Sequence, residues 1–370
     1  SSIFNYATLG FNRSDDVTQT NSILGSGNVV KFGAGTLTMN SLNLYTGNTT
    51  VYEGTMLITG TNLLANSGVM AADGGTLSIY TTTSQFFTNS PVYINNNGTI
   101  NVSFTDIGGG ISAPGATFTS SFFNMNGGTL NVLTNTAYLD SVTQTGGTIN
   151  TTSYLLTTTT GTSTAGVTLT IGDYVMYGGS LNVGNLANVT FTGIETFVSG
   201  SINLNGSNLT LSNPVFGGTS GGQMIVNIGA SRTLTIDTPG FSYDNSNSSL
   251  GAIIQGAGQL ILKGNVLLSI SDSLAADNDF TINTTIAAGA FTKTGDGTLY
   301  LQGINLSSSA NTLSAGTIAV GGSGVFGTGR LNVFSGTLQA DGTPRTVTNT
   351  VALQGSLAIG GTQNFTLANV

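Results

Sequence analysis

The chain contains no cysteine and no histidine. Without cysteine there are no disulfides and no thiolate metal sites. Without histidine the common nucleophilic triads and the histidine-containing metal sites are excluded as well. Charge is also scarce: only 6% of the 370 residues are charged, and the seven basic ones (Arg13, Lys31, Arg232, Lys263, Lys293, Arg330, Arg345) are scattered. With a formal net charge of −8 and a pI near 4.1, the chain argues against a nucleic-acid partner, which needs clustered Lys and Arg. No apolar run approaches the roughly 18 residues needed to span a bilayer, so no transmembrane segment is expected. Ser1-Ser2-Ile3-Phe4 is not a basic region followed by an apolar stretch, which suits a mature exported segment or one excised from a longer chain.

What is present is polar but uncharged. Asn, Ser and Thr fill the places that Lys and Glu usually take, and 54 glycines are spread along the chain instead of pooled in a linker. Hydrophobic residues make up 39% and recur at spacings that allow burial, so the composition is not that of a disordered chain.

One short phrase returns along nearly the whole length: Gly, then Thr or Ser, then an apolar, a polar and an apolar residue. Copies begin at Gly35 (GTLTM), Gly54, Gly75, Gly98, Gly128 (GTLNV), Gly147, Gly179, Gly200, Gly297 (GTLYL), Gly316, Gly336 and Gly355 (GSLAI), with degenerate ones at Arg232 (RTLTI) and Gly258 (GQLIL). Neighbouring copies are mostly 19 to 23 residues apart. A period of about twenty residues built from short strands and Gly or Asn corners matches one coil of a parallel β-helix. Helical repeats would need Ala, Glu, Lys and Leu at 3.6-residue spacing instead. The expectation is an all-β chain forming one continuous β-solenoid over residues 1–370, with residues 1–24 as a cap or edge. It would have about eighteen coils and, at about 4.8 Å per coil, a length on the order of 85 Å.

Period-two alternation assigns the faces. Leu37 and Met39, Leu77 and Ile79, Ile100 and Val102, Leu130 and Val132, Leu181 and Val183, Leu299 and Leu301, and Leu357 and Ile359 point inward, stacking into aliphatic columns. Thr36, Thr38, Thr129, Asn131, Ser180 and Asn182 face outward and form hydroxyl and amide ladders. The 39-residue gap from Gly258 to Gly297 resolves if Asp279-Phe280-Thr281-Ile282-Asn283 is a coil strand with Asp at its corner. The 30-residue gap from Gly98 to Gly128 places a projecting loop within residues 103–121.

Residues 29–60, VVKFGAGTLTMNSLNLYTGNTTVYEGTMLITG, resemble the autotransporter-associated β-strand repeat of bacterial passenger domains. The pattern is carried by Lys31, Gly33, Gly35, Thr36, Leu37, Tyr45, Gly47, Thr49, Val51, Gly54 and Thr55, and it recurs within 290–340 at Lys293, Gly295, Gly297, Thr298 and Leu299, followed by Gly316-Thr317-Ile318. The resemblance implies a right-handed parallel β-helix, export across an envelope and display at a cell surface, and it implies no activity.

Candidate chemistry is sparse. The 15 acids are dispersed, and their only close groupings are Asp15-Asp16 and Asp272 with Asp277 and Asp279. Asp277-Asn278-Asp279 reads first as a coil corner, where Asp and Asn tolerate left-handed geometry. Asp272, Asp277 and Asp279 as calcium ligands rank second, and a catalytic pair ranks third. Gly322-Ser323-Gly324-Val325-Phe326-Gly327 matches G-x-G-x-x-G, but a strand follows it where a dinucleotide site needs a helix. No cofactor is expected. A flat Thr-x-Thr array of the ice-binding kind is not maintained, because the outward pairs include Thr55/Leu57, Thr298/Tyr300 and Thr337/Gln339.

These readings lead to a non-catalytic extracellular scaffold or adhesin, with a host, cell-surface or glycan ligand met through the 103–121 loop or near Phe86-Phe87. The alternative is a subunit of a filament or sheath, self-associating by stacking of open solenoid ends. A carbohydrate-active β-helix enzyme ranks third.

Overall fold

Four residues that alternate polar and apolar bury every second side chain only if something covers that face. In the computed structural model, the cover is the next copy of the same strand one coil further on. The structure describes residues 1–60, 70–81, 85–86, 92–103, 117–120, 123–132, 136–151, 154–158, 161–165, 167–184, 187–217, 222–244, 250–273 and 275–369. Among them every regular element is a strand. The strands stack in parallel as a β-solenoid of about 14 turns with about 21 residues per turn. One antiparallel hairpin, Tyr154–Thr158 with Gly161–Ala165, is inserted between the coil strands Thr148–Thr151 and Ser180–Val183. The chain divides into two compact units, Ser1–Tyr174 with Gly179–Gly193, and Val175–Gly178 with Ile194–Val370.

In the first unit the Gly-Thr-Leu phrases form one face. Leu37, Met56, Leu77, Ile100, Leu130, Ile149 and Leu181 are successive register partners, and all are fully buried. A second column two residues on runs Met39, Ile58, Ile79, Val102, Val132, Thr151 and Val183. Thr151 is the polar exception, and its hydroxyl is engaged with Asn182 O and Gly184 N. Outside, Asn101, Asn131, Asn150 and Asn182 form the expected amide ladder, each donating to the Oδ1 of the one before at 2.8–2.9 Å from Asn131 onward. Asn101 starts it by donating to Ser78 Oγ. Residues 1–24 supply strands of the same kind: Val17 pairs with Leu37 and Gln19 with Met39.

In the second unit the corresponding column is Ile202, Val226, Ile254, Ile282, Leu301, Val320 and Ala340. Its spacings correct the coil count. The steps from Ile202 to Val226, Ile254 and Ile282 are 24, 28 and 28 residues, so fewer coils are made than a uniform period of twenty predicts. RTLTI and GQLIL do not belong to this face. They stack on each other, with Leu234 against Leu260, and Leu260 continues to Ile286. Alternation after a corner suits any side of the coil, so the phrase alone does not say which side it lines. The Phe280–Ile282 strand with Asp279 at its corner holds as expected below Leu299–Leu301, but the strand on its other side begins at Ala252.

The last assignment also changes. Leu357 is half-buried and Ile359 is 51% exposed. Ile359 pairs with Leu338 on one side, whereas Phe365–Asn369 pairs only with the start of Arg345–Gly360 and leaves Ile359 uncovered. Burial in a solenoid needs a neighbour on both sides. The expected loop over 103–121 lies largely outside the described residues, as does Phe87; Thr117–Ser120 is a coil strand that pairs with Thr136–Leu139.

Among the described residues no helix is long and apolar enough to cross a membrane.

Candidate functional site

A coil that closes on itself must turn, and each corner leaves backbone carbonyls that need donors. Most corners here use the simplest solution, the N–H of the next phrase. Thr76 N donates to Gly54 O, Thr129 N to Gly98 O, Thr148 N to Gly128 O and Thr337 N to Gly316 O, each at 2.9 Å. Glycine is required where neighbouring coils crowd a corner. At Gly316, with φ +72°, a Cβ would lie 2.2 Å from Gly295 O, and at Gly54, with φ +61°, 2.4 Å from Gly33 O.

Two corners carry a buried lysine. Lys31 shares a column with Val51, Ala72, Ile94, Met125 and Gln144, so its parity sends it inward. It is 1% exposed, and its ammonium donates to Phe32 O at 2.7 Å, Gly33 O at 2.6 Å and Glu53 O at 3.3 Å. Lys293 is fully buried and repeats the arrangement with Thr294 O, Gly295 O and Ala315 O at 2.9, 2.7 and 3.2 Å. Burial pulls Lys293 down to about 8, opposed by the charges of Asp279 and Asp296. Lys31 is lowered by the same cause, opposed by Glu53 and Asp16. Gln144 does the work of lysine without charge, donating to Gly147 O and Ser180 O at 3.1 and 3.3 Å.

The model of the passenger-associated-transport-repeat matches residues 29–58 and 291–320. In these two segments the chain is similar to the repeats of autotransporter passenger proteins. No curated protein and no solved structure matches it. Within the two passenger-type repeats, the shared lysine is a clamp that gathers three carbonyls from two neighbouring coils. Both repeats also expose two aliphatic side chains around a buried asparagine: Leu42 and Leu44 flank Asn43, and Ile304 and Leu306 flank Asn305.

Two of the acids are corner supports as well. Asp279 is 1% exposed, and both of its carboxylate oxygens accept backbone N–H bonds, from Ser273 at 2.6 Å and from Thr298 at 2.7 Å. Burial raises its pKa, opposed by those two N–H groups. Asp16 accepts from Thr36 N at 2.7 Å, where a glycine carbonyl serves other coils. Asp15 makes a two-point surface pair with Arg13, at 2.8 and 2.6 Å, an exposed contact of small energetic weight. Asp272 and Asp277 are exposed, and among the described residues no group of three or more carboxylates that could hold a metal ion assembles. Gly322–Gly327 lies in a turn before the strand Leu331–Ala340, not ahead of a helix.

Sequence reasoning missed Glu195. It starts the strand Glu195–Phe197, opposite Pro214, and is fully buried. One oxygen accepts from Ser212 N at 3.0 Å, and the other has no hydrogen-bond partner among the described residues. Burial pushes its pKa up to about 7, opposed by the N–H groups of Ser212 and Asn213. Its parity with Phe197 was the available signal.

The second unit also has an open groove of about 440 Å³ on the outer side of its main face, walled by residues 275–278. Along its floor run two outward columns, Ile253, Thr281 and Tyr300, and beside them Gln255, Asn283 and Gln302.

Two measurements check these roles. Lys293→Met strands three corner carbonyls and is expected to cost about 2–4 kcal/mol in urea unfolding. Lys293→Gln regains part of that loss, because Gln144 already holds a corner; equal losses would contradict the clamp. For Glu195, the folded chain keeps its proton up to about pH 7 while the unfolded carboxyl releases it near 4.5. The folded state therefore binds more protons between those values, and the stability present at acidic pH is lost as pH rises through about 7. Glu195→Gln is expected to raise stability at pH 8 by about 3 kcal/mol and to leave it nearly unchanged at pH 4.

Proposed function

We propose that this passenger-like solenoid is a non-catalytic extracellular protein, held at the cell surface as a scaffold or adhesin. The observation that supports this most is where the titratable groups go. Lys31, Lys293, Asp16 and Asp279 are spent on corner carbonyls and amides, and Asp15 on a surface pair. A glycosidase of the common kind needs two carboxylates facing one bond, and Asp279, the neighbour of Asp277, has both oxygens engaged. The outer faces instead carry amides and hydroxyls on a stiff stacked support, a surface suited to contact. The passenger-type repeats at 29–58 and 291–320 favour export and surface display.

Antibody raised against the purified chain is expected to label intact, unpermeabilised producing cells, and external protease is expected to remove that label. Label appearing only after permeabilisation would overturn the assignment. The purified chain is expected to leave neutral and acidic polysaccharides uncleaved; turnover that disappears in Asp277→Ala would establish an enzyme. Electron microscopy of salt-washed protein separates the filament reading, which requires end-to-end polymers, from discrete single-chain particles.

A further inference from the structure

The outward amides of the second unit form a ladder that stops. Asn227 donates to Asn203 Oδ1 at 2.7 Å, and Gln255 donates to Asn227 Oδ1 at 2.9 Å. The same column continues to Asn283 and then to Gln302, whose backbone N–H is bonded to Ile282 O. Asn283 and Gln302 are exposed, and among the described residues no hydrogen bond engages their side-chain amides. In the first unit, the corresponding ladder from Asn101 to Asn182 is hydrogen-bonded at every step. The interruption falls inside the groove walled by residues 275–278.

The groove combines two chemistries in parallel stripes. Ile253, Thr281 and Tyr300 give an apolar and aromatic stripe, with Leu250 at its edge; Gln255, Asn283 and Gln302 give an amide stripe. Successive members lie one coil apart, about 4.8 Å, a spacing comparable with one pyranose unit. An amide presents a donor and an acceptor side by side, matching vicinal hydroxyls, while the C–H face of a sugar ring packs on aliphatic and aromatic surface. Among the described residues Asp277 is the only charged one lining the groove, and it adds an acceptor for hydroxyls while repelling carboxylated sugars.

We propose that this groove binds a neutral oligosaccharide of about three to four sugar units, lying along the solenoid axis, with Asn283 and Gln302 as its principal hydrogen-bonding groups. The assignment rests on the adhesive reading above and names its ligand class. The test uses the whole chain titrated calorimetrically with cellotetraose, chitotetraose and mannotetraose, and with tetragalacturonate as an acidic comparison. At least one neutral tetrasaccharide is expected to bind in the millimolar range or tighter. Asn283→Ala with Gln302→Ala is expected to weaken that binding at least tenfold at unchanged thermal unfolding, while the exposed change Leu44→Ala in the first unit leaves it intact. No binding by any neutral probe, or binding by tetragalacturonate alone, would overturn the proposal. Neutral-sugar binding that survives the double substitution would remove this groove as the site yet leave the adhesive reading standing, whereas that reading itself fails if the chain is absent from the cell surface.

Discussion

The fold depends on one repeated contact: an aliphatic side chain seated on its counterpart one coil away. Leu37, Met56, Leu77, Ile100, Leu130, Ile149 and Leu181 form such a column, and none of them has solvent exposure. No single coil has a core of its own, because its inward residues are covered only by the coils above and below. Ile359, paired with Leu338 on one side, is 51% exposed. The chain needs few charges to stay folded, since along ladders such as Asn101, Asn131, Asn150 and Asn182 the polar side of the strands is satisfied by amides bonding from coil to coil.

Corners are where the second constraint acts. Turning a strand strands carbonyls, and the chain answers with the next backbone N–H, with glycine where coils crowd, and with a few buried polar side chains. Lysine, glutamine and aspartate solve versions of one geometric problem at Lys31, Gln144 and Asp279. That is how several of the scattered charges come to lie at corners. A chain with 6% charged residues uses several of its most conspicuous ones as internal fasteners.

Much of the architecture was legible because solenoid periodicity is written locally. The Gly-Thr-Leu phrase and its parity identified Leu130, Leu181 and Leu299 as inward and Asn131 and Asn182 as ladder residues. What failed was anything that required knowing which side of the coil a strand lines. RTLTI and GQLIL carry the same alternation on another face, and the 28-residue coils ending at Ile254 and Ile282 hid their phrase behind Ala252 and Phe280. The buried lysines were visible as motif letters but not as fasteners, because their role depends on carbonyls supplied by the neighbouring coil. The groove beside Asn283 was illegible for the same reason: its floor is assembled from residues about twenty to thirty apart.

Register-specific cross-linking tests the stacking most directly, and the absence of native cysteine makes it clean. Thr129 and Thr148 are register partners on the outer side of adjacent coils, so their Cα atoms lie about 4.8 Å apart, within disulfide reach. Thr129→Cys with Thr148→Cys is predicted to oxidise to an intramolecular disulfide without loss of folding. Thr129→Cys with Asn150→Cys, offset by two residues to about 8 Å, is predicted to remain reduced. Closure of the offset pair, or failure of both, would contradict coil-on-coil stacking in this register.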